Sequence, residues 1–323
     1  MFASYREKNE LELMGLRNVP KLNILRIIRL HIVAGGLLAF SVGALLAVVS
    51  GGSFNIEQVT LFYAIVLFGD LSTHFSNDYF DVEVDKQIGQ RKYFSGSNIL
   101  ANHPELRPLS KSISISLLLF SIILALAEVV FLSSSIGILI IALGANLLGW
   151  FYSAPPSRLI SRGLGEIVVA LIVGLVIPGV GYLSVRGQFD LFFIYFAVPF
   201  VIYGLVLSLS LEAPDIEADQ RGGKRNLGVR KGKRLLFSLI LAMTLLATLT
   251  FAFYAWQIVK TPLDFGIISL FSIVPLATGL IGFVAILLKK NPGLFSTLNV
   301  GSLFFFNAAM VTYLIAIGLN LVT

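Results

Sequence analysis

Long apolar runs separated by shorter polar connections make up most of the chain. A helix needs about 20 mostly apolar residues to cross the hydrocarbon core of a bilayer. Nine runs approach or exceed that length, at residues 24–50, 55–80, 109–132, 134–152, 163–184, 189–213, 234–257, 265–288 and 295–321. The pattern therefore predicts an all-α integral membrane protein with nine transmembrane helices.

The composition supports the same class. Of 323 residues, 56% are hydrophobic and only 13% are charged, and the mean hydropathy is +0.87. A soluble domain carries about 25% charged residues, so a soluble globular protein is excluded. The chain contains no cysteine, which excludes disulfides and thiolate chemistry.

The net charge of +6 is distributed unevenly along the chain. If the helices alternate in direction, all 24 lysines and arginines except Arg186 and Lys260 fall on one side of the membrane. Positive charge of this kind marks the cytoplasmic side. We predict a cytoplasmic N-terminus and an outer C-terminus in the cell membrane, and the basic residues are explained without a nucleic-acid partner. The mixed, charged residues 1–23 are predicted to lie at the membrane interface.

Two polar connections stand out, at residues 81–108 and 214–234, and each opens with spaced acids and continues into bases. Because each follows an even-numbered helix, both are predicted to be cytoplasmic. Their likeness suggests two related halves, helices 1–4 and 5–8, with a ninth helix added. We predict one membrane-embedded domain, residues 1–323, with the helices around a central cavity and these two connections as active-site loops.

The first connection begins in the stretch "NDYFDVEVD". Asn77, Asp81 and Asp85 are four residues apart, so they share one face if the helix continues. Asp78 lies three residues before Asp81 and can join that face, whereas Glu83 points elsewhere.

The second connection begins in "EAPDIEAD", where Glu212, Asp215 and Asp219 share a face and Glu217 lies off it. Several acids meeting near a membrane would repel one another, and burial would raise their pKa values. A positive partner is therefore required. Carboxylate oxygens without histidine or cysteine suit Mg²⁺, which keeps waters and is commonly shared with substrate phosphates.

Basic residues follow both clusters. Arg91 and Lys92 come after the first cluster, Lys224 and Arg225 come after the second, and Arg158 is expected on the same side. Acids that hold Mg²⁺, surrounded by bases, form a site for a polyphosphate, and an adjoining apolar cavity makes a lipid diphosphate the natural ligand. The alternative is that these are solvated groups at helix ends, with the bases snorkelling to the membrane surface.

The residues of both clusters resemble the UbiA superfamily of intramembrane prenyltransferases. That family carries N-x-x-x-D-x-x-x-D after the second helix and D-x-x-x-D after the sixth. Here these motifs read Asn77, Asp81 and Asp85, then Asp215 and Asp219. "YSAPPSRL" is similar to the family's segment after helix 4, and the likeness extends over nearly the whole chain.

The resemblance implies a mechanism in which two Mg²⁺ ions bind the diphosphate of a polyprenyl donor such as geranylgeranyl diphosphate. Asp81, Asp85, Asp215, Asp219 and Asn77 would be the catalytic metal ligands, and Asp78 would be either a further ligand or a support for them. The residues implied to contact the diphosphate are Arg91, Lys92, Arg158, Lys224, Arg225, Arg29, Tyr152 and Ser153.

Within the family, "FSGSNIL" and "GKRNLGVRKG" look most like the branch that prenylates dihydroxynaphthoate in menaquinone synthesis. That branch usually has paired asparagines and then an arginine before the second motif, where this chain has Leu211, Glu212, Ala213 and Pro214. An aromatic quinone precursor is therefore the expected acceptor, and the hydroxyl of a prenylated glycerol phosphate, as in ether-lipid synthesis, is the alternative.

A secondary transporter with two related halves is the rival from another class. Transporters tend to place ion sites near the bilayer midplane, whereas these acids lie at helix ends, which favours an enzyme. Asp70 and His74 lie within the second apolar run, on roughly the same face as Asn77. They either line the cavity, with His74 touching the acceptor, or form a satisfied pair between helices.

Overall fold

The computed structural model of the protein describes residues 20–86, 97–257 and 261–322. Within those ranges, nine helices are long and apolar enough to cross a membrane, and no β-strand is present. These helices are α1 (Leu30–Val49), α2 (Ile56–Phe80), α3 (Arg107–Phe131), α4 (Ile136–Ser153), α5 (Gly165–Arg186), α6 (Leu191–Glu212), α7 (Leu227–Gln257), α8 (Phe265–Leu287) and α9 (Pro292–Val322).

Shorter helices lie at the ends that carry the acidic motifs. A 3₁₀ helix, Pro20–Ile27, precedes α1, while Val82–Asp85 and Ile216–Arg221 extend α2 and α6 after a break of one and three residues. A further turn of helix, Ile99–Asn102, leads towards α3. The predicted site residues Arg91 and Lys92, and residues 1–19 of the predicted interfacial segment, lie outside the described residues.

Side-chain caps fix the start of every even-numbered helix. Asn55, Ser135, Asp190 and Asp264 each accept hydrogen bonds from backbone N–H groups in the first turn that follows. Such caps satisfy donors that have no partner within the helix. Each cap therefore sets where the chain turns back at the end of the bundle opposite the acidic motifs.

The outside of the bundle is apolar. On α3, for example, Leu119, Ile123, Leu126 and Val130 are all exposed. An apolar surface of this extent is unsuited to water and suits lipid. Together with the nine spans, it makes this a multi-pass membrane protein.

Close backbone contact joins α1 to α5 at the middle of the bundle. A Cβ at Gly43 would overlap the carbonyl oxygen of Pro178, and a Cβ at Gly181 would overlap that of Phe40. Small residues allow helices to approach in this way within a membrane. In the first half α2 also packs on α3 and α4; in the second, α6 packs on α5, α7 and α9. The second half differs from the first in that its central helix, α6, also packs on α9.

Helix α5 is irregular where it faces the cavity described below. Residues Ile172–Val176 form a π-helical turn, and Pro178 follows it. An extra residue in one turn changes which side chains point inward. Ile172, Val173 and Val176 line the cavity as a result.

The predicted spans are confirmed, with shifts of only a few residues for most of them. The largest difference is α7, which begins at Leu227 rather than at 234. Its first turns are polar and continue past a kink at Gly232, where φ is 81° and ψ is 168°. An apolar run marks only the part of a helix that lipid surrounds, so this extension was missed.

Candidate active site

A cavity of about 400 Å³ lies between the helices. One end is polar and includes the acidic motifs that follow α2 and α6. The rest is mainly apolar and is lined by residues such as Ile65, Val169, Ile177, Phe200 and Leu303. Its shape and chemistry suit an amphiphile that has one strongly charged end.

The first acidic motif contributes three side chains to the polar end. Asn77 stands in the last turn of α2, Asp81 terminates that helix, and Asp85 ends the short helix after it. All three line the cavity. Oδ1 of Asn77 is buried and accepts no hydrogen bond from any residue that the structure describes. Glu83, in contrast, is 73% exposed and pairs with Lys86.

The second acidic motif reaches the same end from α6. Asp215 lies in the turn after α6, and Asp219 lies in the short helix Ile216–Arg221. Both line the cavity, as does Glu212. Glu217 is 78% exposed and pairs with Lys233 instead. The spacing of the acids therefore separates inward from outward side chains as the sequence predicts.

Lys224 lies between the two motifs and contacts both. Its Nζ is 3.4 Å from Oδ2 of Asp81 and 3.3 Å from Oδ1 of Asp219. Burial by itself lowers the pKa of Lys224, but the two carboxylates outweigh it and hold that pKa above its ordinary value. The side chain is therefore a fixed positive charge at the point where the motifs meet.

Burial acts on Asp81 in the opposite direction. It raises the pKa of that carboxyl above the ordinary 3.8, and Asp219 nearby adds to the rise. Lys224 and Arg158 oppose the shift by favouring the charged form. Burial thus disfavours the charged form of Asp81, and a cation placed beside it would favour that form.

The residues 37–311 match the sequence profile of the UbiA prenyltransferase family. The chain belongs to that family. It is therefore a transferase, and the transporter interpretation of the two halves is set aside. The residues that match include all nine spans, at least in part.

A curated relative is the 1,4-dihydroxy-2-naphthoate octaprenyltransferase of Bacillus subtilis (strain 168). It is 22% identical over 209 residues, and the alignment covers 64% of each protein, slightly less than two thirds of the relative's length. The likeness is distant, and the activity of that relative is not carried over to this chain on identity alone.

Solved structures of the family have the same fold. A UbiA homologue from Archaeoglobus fulgidus, bound to DMAPP and Mg²⁺, has a TM-score of 0.70 at 18% identity, covering 91% of this chain and 98% of that one. A digeranylgeranylglyceryl phosphate synthase has a TM-score of 0.63 at 17% identity, covering 92% and 99%. At this level of identity the likeness shows the fold.

The other described residues that were predicted to contact the diphosphate occupy different positions. Arg29 and Tyr152 line the cavity. Ser153 is buried outside the cavity lining, and Arg158 and Arg225 are exposed.

Other residues of the chain contact both carboxylate oxygens of Asp78. It is almost fully buried, and Nη2 of Arg29 approaches its Oδ1 at 2.5 Å. The backbone N–H and the hydroxyl of Ser97 both donate to its Oδ2. Asp78 therefore fixes Arg29 and the end of the loop before α3, which suits a support for the site better than a ligand.

Three residues reinforce the second motif, and two of them, Asn226 and Glu166, were not predicted from the sequence. Nδ2 of Asn226 donates to Oδ2 of Asp219 at 2.7 Å, and Oε1 of Glu166 accepts from the backbone N–H of Leu227 at 2.7 Å. Glu212, named only as a member of the acidic face, accepts from the backbone N–H of Gly228. Anions at the start of a helix are stabilised by its dipole, so α7 holds this group of carboxylates in place. The one signal in the sequence for Glu166 was its charge, since it lies within the apolar run 163–184.

The donors at the polar end fit Mg²⁺. Asn77 supplies a buried oxygen that has no hydrogen-bond partner in the described part of the chain, and the aspartates supply hard anionic oxygens. Among the described residues, no three histidine or carboxylate side chains converge closely enough to hold an ion by themselves. Mg²⁺ does not need such a cluster, since it commonly binds one or two carboxylates and takes its other ligands from water and substrate phosphates.

Proposed function

We propose that this protein transfers a polyprenyl group from a polyprenyl diphosphate to a lipophilic acceptor inside the membrane, with Mg²⁺. The observation that carries the proposal is the meeting of two acidic motifs around Lys224 at the polar end of an apolar cavity. A diphosphate needs the charged end, and a prenyl chain needs the apolar remainder. The chain acts as one membrane-embedded domain, residues 1–323.

The metal ligands are Asp81 and Asp85 with Asn77 on the first motif, and Asp215 and Asp219 on the second. One ion for each motif, two in all, is the arrangement that two separate sets of oxygens favour. When bound, Mg²⁺ neutralises charge that develops on the leaving diphosphate. Asp78 holds Arg29 and thereby shapes the neighbouring wall.

Lys224 is the described base best placed to contact the diphosphate, and Arg91 and Lys92 stay candidates outside the described residues. It is charged and buried, and it lies where the two motifs meet, so it can donate to a phosphate oxygen without reorganising. Fixed donors aimed at developing charge are among the strongest sources of rate enhancement. Arg29 and Tyr152 lie along the cavity beside it, while Arg158 acts on Asp81 through its field.

The apolar part of the cavity holds the prenyl chain and protects the allylic cation. Its walls leave water few polar partners, which reduces capture of the cation by water. Phe200, Tyr203 and Phe304 are cavity-lining aromatic residues whose ring faces can stabilise a cation.

A quinone-precursor aromatic ring is the proposed acceptor, supported by the distant Bacillus subtilis relative. The departure at Leu211–Pro214 and the fold shared with a digeranylgeranylglyceryl phosphate synthase favour a second candidate, the hydroxyl of a prenylated glycerol phosphate. Both acceptors are lipophilic and enter the same cavity. The distribution of basic residues supports a cytoplasmic active site, a cytoplasmic N-terminus and an outer C-terminus.

The test is incubation of the purified protein with geranylgeranyl diphosphate, Mg²⁺ and each acceptor in turn. The naphthoate and geranylgeranylglyceryl phosphate serve as the two acceptors, and mass spectrometry identifies the lipid product. We expect prenylation of one acceptor that stops when a chelator removes the metal. Absence of product with both, from folded protein, would contradict the proposal.

A further inference from the structure

Beyond the acidic motifs, α2 carries a second pair of ionisable side chains that face the cavity. Asp70 and His74 come two turns and one turn before Asn77, and both line the cavity. At a rise of about 1.5 Å per residue, Asp70 lies about 10 Å along the helix axis from Asn77. That spacing leaves room for an acceptor between the diphosphate end and Asp70.

His74 is held in one orientation. The backbone N–H of Arg29 donates to Nδ1 of His74 at 3.4 Å, and Nε2 of the same ring lies 3.5 Å from Oδ1 of Asp70. Because Nδ1 accepts a hydrogen bond, the ring proton belongs on Nε2, facing Asp70. The ring N–H therefore faces one oxygen of the carboxylate at a distance longer than a hydrogen bond, and Nε2 has no hydrogen-bond partner among the described residues.

Asp70 is the member of the pair that the cavity can reach. Its side chain is 23% exposed, compared with 4% for His74. Its ion-pair partner is His74, and Arg29, whose backbone contacts that histidine, is itself paired with Asp78. Among the described residues, no arginine or lysine pairs with Asp70, and a carboxylate of this kind facing an apolar cavity is suited to accept a proton.

An independent polar group lies close to this pair. Asn146 on α4 uses its Nδ2 to donate to Ser121 and to the carbonyl of Ala142. Its Oδ1 accepts no hydrogen bond among the described residues, although the side chain is only 6% exposed. That oxygen lies 3.3 Å from where a Cβ of Gly69 would stand, next to Asp70, and Asn146 lines the cavity. A buried acceptor oxygen of this kind suits an O–H group on a ligand.

We propose that Asp70 is the catalytic base that removes the proton displaced from the acceptor, that Asn146 binds an acceptor hydroxyl, and that His74 positions Asp70. This inference rests on the proposed function and deepens it. The bond from the prenyl C1 to the diphosphate oxygen breaks, and both electrons leave with the diphosphate. The acceptor atom forms the new bond to C1 with its own electron pair and gives its proton to an oxygen of Asp70. The carboxylic acid passes that proton to water when the product leaves.

The variant Asp70→Asn keeps the shape of the side chain and removes the base. General base catalysis contributes about 10²–10⁴-fold, so we expect prenyl transfer to fall by that factor. Affinity for geranylgeranyl thiodiphosphate, an unreactive donor analogue, should stay unchanged. Asp70→Glu should restore part of the rate, and His74→Gln should lower kcat without changing the KM for the donor.

Glu128→Gln is the matched control. Glu128 is also a buried carboxylate within the membrane, on α3, but it bonds to Ser134 and does not line the cavity. It should keep wild-type transfer. Each variant is assayed with whichever of the two acceptors the wild-type protein prenylates.

Two results would overturn the assignment of Asp70. Wild-type transfer in Asp70→Asn would mean that the diphosphate or water takes the proton. If Asp70→Asn loses both donor affinity and prenyl transfer, Asp70 supports the donor site or the fold. A wild-type protein that prenylates neither acceptor would instead contradict the proposed function, and the assignment would fall with it.

Discussion

The two acidic motifs present similar side chains to the same cavity but are supported in different ways. The first is stabilised by charge, since Arg29 and Ser97 hold Asp78 beside it. The second is stabilised by a helix end, since Asn226 bonds to Asp219 while also capping the first turn of α7. The aspartates of the two motifs have the same spacing in the sequence and reach the same cavity, but different contacts hold them there.

The features that the two motifs share are required by the chemistry, and the supports in which they differ are supplied by the fold. Both motifs provide aspartates four residues apart, and both meet Lys224. The supports differ because each motif is contacted by a different neighbouring segment of the chain. We expect changes to the shared features to have large effects and changes to the supports to have smaller ones.

The largest effect is expected when either motif loses a carboxylate. In Asp81→Asn or Asp219→Asn, Mg²⁺-dependent release of diphosphate from geranylgeranyl diphosphate should fall by about 10²–10³-fold or more, because stabilisation of the leaving group is lost. Release is measured by a coupled phosphate assay on purified protein.

Glu83→Gln and Glu217→Gln are the controls for these variants. Each removes a carboxylate from the same short helix as a site aspartate, but both side chains are exposed and paired with surface lysines. Near wild-type rates are expected. A loss equal to that of the aspartate variants would mean that bulk negative charge, rather than position, matters.

Removal of the bridge between the motifs should come next. Lys224→Met keeps an unbranched apolar stem but removes the charge that contacts Asp81 and Asp219. We expect affinity for geranylgeranyl thiodiphosphate to fall by about 10–100-fold, since hydrogen bonds to charged groups contribute about 1.5–3 kcal/mol each. Titration calorimetry measures the change, with the exposed neighbour Arg225→Met as control. Equal losses in the two would show that Lys224 acts only through general positive charge.

Variants of the supporting residues should affect the two motifs separately. Asp78→Asn should loosen Arg29 and the first motif, whereas Asn226→Ala should loosen Asp219 and the start of α7. Residues that orient ligands typically contribute about 10–100-fold, so we expect losses in that range for Mg²⁺ affinity. If Asp78→Asn instead matches Asp81→Asn in its effect, Asp78 is itself a ligand.

The smallest effect concerns pH. Burial raises the pKa of Asp81, partly opposed by Lys224 and Arg158, and only the ionised carboxylate holds a cation. As the pH falls through this raised pKa, Asp81 takes up a proton and Mg²⁺ affinity declines. The decline should therefore begin at a higher pH than an ordinary aspartate would give. Arg158→Gln should move it higher still, and an unmoved curve would show that Arg158 does not influence Asp81.

Much of the fold follows from the apolar runs. A run of the right length in lipid has little alternative to a helix, because every backbone polar group must be satisfied within the segment. The polar first turns of α7 and the π-helical turn in α5 were missed, since neither changes the hydropathy. The close contact of Gly43 with Pro178 depends on which helices meet, and this information is absent from any single run.

The site was predictable where the spacing of residues along one helix sets the direction in which their side chains point. The inward position of Asp81 and the outward position of Glu83 follow from helical geometry alone. Contacts across a turn or between distant segments do not follow from it, which is why Asn226 and Glu166 were missed. Lys224 was named with its neighbour Arg225, yet only Lys224 reaches the cavity, because adjacent residues of a turn point in different directions.

We expect the two motifs to act as one unit on a single diphosphate. A double-mutant cycle tests this directly, with Mg²⁺-dependent binding of geranylgeranyl thiodiphosphate measured for wild type, Asp81→Asn, Asp219→Asn and the double variant. Groups that act as a unit are strongly non-additive, so the double variant should bind scarcely more weakly than the weaker single one. Losses that simply add, or a single variant that binds as tightly as wild type, would contradict the claim.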